Sequence, residues 1–92
     1  MFAIGDREWT GVSKLVEEAG EVVQVLGKLI GSRGIEEHWD GSNLRQRLHE
    51  ELADLLAAIE FVIERNALSR TFIEARKEHK LNTFRDWHER GL

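Results

Sequence analysis

The stretch KLVEEAGEVVQVLGKLI, residues 14–30, decides the fold, and LHEELADLLAAIEFVIE, residues 48–64, repeats its pattern. A helix advances about 100° per residue, so each position has a direction on a wheel. With Leu15 at zero, Val16, Ala19, Val22, Val23, Val25, Leu26, Leu29 and Ile30 fill one arc, from about −80° to about +100°. That is the stripe of a core-facing amphipathic helix. Two acids interrupt it. Glu18 falls at about −60°, inside the arc, and Glu21 at about −120°, on its border. Glu17 points to the polar side with Gln24 and Lys28.

The second stretch carries the same device. With Leu48 at zero, Leu44, Leu52, Leu55, Leu56, Ala58, Ile59, Val62 and Ile63 form the apolar arc. Glu51 lands at about −60° and Asp54 at about −120°, while Glu50 points away as Glu17 does. A spacing of three places each pair on one helix face.

A carboxylate among apolar neighbours needs compensation, because stripping water from an unpaired charge is costly. Four clustered carboxylates also repel one another unless cations or protons intervene. One such pair is more often a boundary feature matched by Arg or Lys; two matching pairs on successive helices favour a shared cation. An all-oxygen donor set of Asp and Glu suits a hard ion, Mg²⁺ first, with Mn²⁺ as a substitute.

The rest of the chain sets the frame. Its 92 residues make one domain, 1–92, and a chain of this size has difficulty completing a core alone. Proline is absent, and helical periodicity marks three segments, 13–30, 43–65 and 69–89. Gly31 and Gly34 end the first, Ser42 or Asn43 caps the second, Asn66 closes it, and Ser69 caps the third. Residues 1–12 show no resolved period, and alternation at strand period is missing. The expectation is therefore an all-α antiparallel bundle of three to four helices: two central helices turning their acids toward each other, a third packed alongside, and homo-oligomerisation completing the whole.

With 13 Lys and Arg against 17 Asp and Glu, the net charge of −4 argues against charge-driven nucleic-acid binding. The distribution is uneven. Residues 17–21 and 50–54 hold six acids and no base, whereas residues 70–90 hold six Lys or Arg against four acids. No cysteine is present, which excludes disulfides and thiolate zinc sites. No uncharged apolar run approaches the roughly 18 residues of a membrane span. The first residues lack the pattern of a signal peptide, so the expected compartment is the cytoplasm.

EEAGE at 17–21, followed by EELAD at 50–54, resembles the paired EExxE and ExxD motifs of MazG-type nucleoside triphosphate pyrophosphohydrolases. Their all-α superfamily also includes dimeric dUTPases, dCTP pyrophosphatases and phosphoribosyl-ATP pyrophosphohydrolases. The likeness runs from about Lys14 to Arg65, and the closing RKEHKLNTFRDWHERG resembles more loosely the basic last helix of small MazG-like proteins. The resemblance implies Mg²⁺ ligands at Glu18, Glu21, Glu51 and Asp54, the four that the wheel also selects, with Glu17 as a fifth candidate. It further implies hydrolysis of a nucleoside triphosphate between its α- and β-phosphates, to a nucleoside monophosphate and pyrophosphate, by a homodimer or a dimer of dimers. Activity on phosphoribosyl-ATP is the nearest alternative. A non-catalytic helical module, whose acids only pair with a partner, is the alternative of another class.

Other residues have two roles open. Arg76 and Lys80 lie in one broad arc of the third helix with Phe72, Ile73, Phe84 and Trp87. They can reach phosphate oxygens, or lay their stems on apolar surface with their heads in water. Trp9 and Trp39 can stack on a base or anchor a core or interface. HEELA at 49–53 has Ala53 where a HExxH zinc motif needs its second histidine, so that reading fails.

Overall fold

The computed structural model describes residues 7–92 and contains three helices, α1 (Val12–Gly31), α2 (Leu44–Arg65) and α3 (Arg70–Glu89), with no strand among the described residues. All three lie within one residue of the expected segments at each end. Residues 1–6 lie outside the described residues.

The helix ends follow from local chemistry. Asn43 rather than Ser42 caps α2: its side-chain oxygen accepts from the Gln46 N–H at 2.9 Å. Ser42 instead donates to the Asp40 carboxylate, through both its N–H and its hydroxyl. Ser69 caps α3 by accepting from the Phe72 N–H. At the end of α1 the Ser32 and Gly34 N–H groups return to the Lys28 and Leu29 carbonyls, with Gly34 at φ 86°.

α1 and α2 run antiparallel and pack against each other. At one end the Asn66 amide donates to the Thr10 carbonyl at 2.9 Å, and at the other Leu29 faces Leu48 and Leu52 across a small cavity. The 32–43 connection is pinned where it meets α2. The Leu44 N–H donates to the Glu36 carbonyl, and the Arg45 guanidinium forks onto the Glu36 carboxylate. That pairing holds the Glu36 carboxyl below its ordinary range.

The core is thin. Among the described residues its buried apolar members are Val22 and Val25 of α1 and Leu44, Ala58, Val62 and Ile63 of α2. The interhelical contact uses only part of each apolar arc. In an antiparallel pair, the positive-angle halves of both wheels turn to the same broad face. Val16, Val23, Leu26 and Ile30 are exposed there, together with Leu52 and Leu56.

The third helix departs from expectation. It does not pack alongside the other two: it buries no residue and extends away after a short turn. The radius of gyration is 16.3 Å, where a compact chain of this length would have about 12 Å. The physical reason lies in its sequence. Arg76 and Lys80 sit within its apolar arc, and a stripe broken by cations gains little by burial in its own hairpin. Glu60 of α2 ties down its start through Arg70, the first residue of α3. No described helix is long and apolar enough to cross a membrane.

Gly11 shows how closely the α1 start is fitted. It adopts φ 88°, and a Cβ there would stand 2.7 Å from a ring carbon of Phe61. Both the left-handed backbone and the close ring exclude a side chain. Gly11→Ala is expected to destabilise the fold by about 2 kcal/mol or more, measured by urea unfolding.

Candidate metal centre

The antiparallel pairing brings the two acidic devices together. Because Glu18 and Glu51 occupy matching angles on opposed helices, both turn toward the same edge of the contact. Glu18, Glu51 and Asp54 each present an oxygen, and the three oxygens lie within 4.8 Å of one another. Glu18 and Glu51 are half-buried, and the Glu18 side chain is only 15% exposed; Asp54 faces solvent. Neighbouring Leu15, Leu48 and Leu55 are half-buried as well, so the acids stand where the apolar seam meets water.

The electrostatics reflect that crowding. Desolvation pushes the Glu51 carboxyl above its ordinary value, and the charges of Glu21, Asp54 and Glu18 push it further. Arg47 acts weakly in the opposite sense. The nearest cation is the Lys14 ammonium, 3.5 Å from Glu18 and 3.3 Å from Glu17. Its pKa is raised, first by its hydrogen bond to Glu17.

The donor set fits a hard divalent cation. It is all oxygen, it has three carboxylates from two rigid helices, and it opens to solvent on one side, as Mg²⁺ requires for retained water or substrate oxygens. Its net negative charge greatly exceeds what one lysine offsets.

The residues selected from sequence divide clearly. Glu18, Glu51 and Asp54 converge. Glu21 stays outside the tight group, though close enough for its charge to act on Glu51. Glu17 is exposed, pairs with Lys14 and lies outside the cluster. Arg76 and Lys80 are exposed on α3, with Lys80 over the Phe84 ring, and neither lines the cavity beside the acids. Trp9 is exposed in the turn before α1 and does not line that cavity either. Trp39 is 89% exposed in the connecting loop, beside His38.

Two residues at the site escaped sequence reasoning. Lys14 precedes Glu18 by one turn and Phe61 follows Asp54 by two, so each shares the acids' edge of its helix. That spacing was the available signal. Together with Glu18, Asp54, Ala57 and Ala58 they line a cavity of about 450 Å³. Comparison with protein-family models, curated proteins and solved structures finds no match for this chain.

Proposed function

We propose that the chain is a MazG-like nucleoside triphosphate pyrophosphohydrolase, cutting between the α- and β-phosphates to release a nucleoside monophosphate and pyrophosphate. The observation that carries this reading is the convergence of Glu18, Glu51 and Asp54, from the two motif-bearing helices, within 4.8 Å. Glu18, Glu51 and Asp54 hold Mg²⁺, or Mn²⁺ in its place, and Glu21 stands beside them as a further carboxylate able to order the attacking water. When bound, the ion polarises phosphate oxygens, lowers the pKa of that water and offsets charge on the pyrophosphate leaving group. The Lys14 ammonium, already beside Glu18, adds positive charge where the polyphosphate approaches. The rigid hairpin fixes the ligand positions, so little reorganisation accompanies binding.

The experiment is an assay of purified chain with each ribo- and deoxynucleoside triphosphate, with Mg²⁺ or EDTA, and chromatography of the products. Monophosphate plus pyrophosphate, lost in EDTA, is the expected result. Diphosphate plus orthophosphate would overturn the bond assignment. No turnover and no binding of Mg²⁺ or Mn²⁺ would return the acids to a pairing role.

A homodimer, or a dimer of dimers, accompanies this reading. A second copy covers the face formed by Val16, Val23, Leu26, Ile30, Leu52 and Leu56, and its burial supplements a core too thin for one chain. Sedimentation of the wild-type chain is expected to give at least a dimer. Leu26→Lys with Leu56→Lys is expected to lower that mass to the monomer, because two desolvated ammonium groups would oppose closure.

A further inference from the structure

Phe61 packs on the buried Gly11 at the start of α1 yet leaves the rest of its ring open. On the α2 wheel it points at about −140°, off the apolar stripe and on the same side as Asp54. Its side chain is 43% exposed. Yet the ring is held from two directions. Gly11 abuts its edge so closely that a methyl group would not fit, and the Arg65 guanidinium lies 5.8 Å from the ring centroid. The ring thus forms an aromatic surface at a groove whose other lining is small, Ala57 and Ala58, and charged, Glu18 and Asp54 with Lys14 beside them. The space, about 450 Å³, opens broadly to solvent, so a ligand there would be covered on one side only.

We infer that this cavity receives the base of the nucleotide, with Phe61 as the aromatic wall against which the base lies. The inference rests on the nucleotide reading above and assigns the uncharged end of that substrate. The charge pattern orients it. The polyphosphate belongs with the cation at the acids, and the apolar walls cannot solvate phosphate oxygens. A base has an apolar face and stacks on aromatic rings with little regard to its identity. Phe61 carries no hydrogen-bonding group, so this wall contributes affinity and position to every base. Ala57 and Ala58 leave room beside it. Phe61 is a positioning contact to substrate, distinct from the groups at the reacting phosphorus.

The test compares two ligands by calorimetry in Mg²⁺. One is an α,β-methylene nucleoside triphosphate, which cannot be cut at that bond; the other is inorganic tripolyphosphate, which has no base. Phe61→Ala and Phe61→Leu are titrated beside wild type, with circular dichroism confirming that each remains helical. The expected result is a loss of about tenfold or more in affinity for the methylene analogue in both variants, with tripolyphosphate unchanged. Equal losses for both ligands, or no loss for the analogue, would overturn the assignment. So would a wild-type chain that binds the two ligands equally, although the phosphate-and-metal reading would then survive. A wild-type chain that binds neither would overturn the nucleotide reading and this assignment with it.

Discussion

On the proposed reading, Glu51→Gln is expected to remove the thermal stabilisation by bound Mg²⁺ and to lower turnover by at least about 100-fold, since even outer-shell partners of a metal site are worth 10- to 100-fold. Glu51 is pushed toward its neutral form by desolvation and by the charges of Glu21, Asp54 and Glu18. A cation between these carboxylates relieves all of that repulsion at once. At a Mg²⁺ concentration 100 times its dissociation constant, the wild-type fold gains about 2.7 kcal/mol. For a domain of this size, that corresponds to roughly 10–20 °C in the melting midpoint. Glutamine keeps the shape and one oxygen but loses the charge, so this rise should largely vanish. The opposite change is expected in EDTA, where the variant should melt slightly higher than wild type. A carboxyl with a raised folded pKa costs stability at neutral pH, and glutamine abolishes that cost. A scanning-fluorimetry series, with and without Mg²⁺, reads both signs. If the substitution merely damaged packing, the melting point would fall in both conditions.

Leu44→Ala should be the most damaging single truncation in the apolar core. Leu44 is fully buried at the first turn of α2, and its N–H is fixed by the Glu36 carbonyl. The alanine leaves a cavity that the pinned loop cannot easily close, a cost of about 2–5 kcal/mol. Domains of this length are stable by roughly 5–14 kcal/mol, so the loss is a large fraction of the whole. Urea titration should show a lower midpoint with an unchanged slope. Trp39→Ala, at a side chain 89% exposed, is the control and should stay within about 0.5 kcal/mol.

The reasons these positions could or could not be read from sequence are physical. Helix extents were legible because periodicity and caps are local: Asn43 and Ser69 act on N–H groups three residues away. Glu18, Glu51 and Asp54 were legible because a wheel gives direction, and antiparallel pairing makes matching directions meet. Height along the axes is another matter. It decides which acids meet: Glu21 stays outside the tight group although its direction matches that of Asp54, while its charge still acts on Glu51. The departure of α3 was hidden for a similar reason. Its apolar arc signals a partner, and although the wheel already places Arg76 and Lys80 in that arc, it does not weigh their desolvation cost against the gain of burial. Phe61 is hard to single out from sequence because its ring stands off the apolar stripe of α2.

The pairing of α1 with α2 also bears on how the chain reaches its native state. Substantial helix packing joins only elements adjacent in sequence, linked by residues 32–43. Near-neighbour helical topologies of this kind fold in microseconds to milliseconds, because little chain entropy is lost before contacts form. Synthesis proceeds at about 5–20 residues per second, far slower than that. Once α2 has emerged from the ribosome the hairpin can close, bringing the acids together before α3 has followed it out. The last helix is thus free to be shaped by whatever surface it meets.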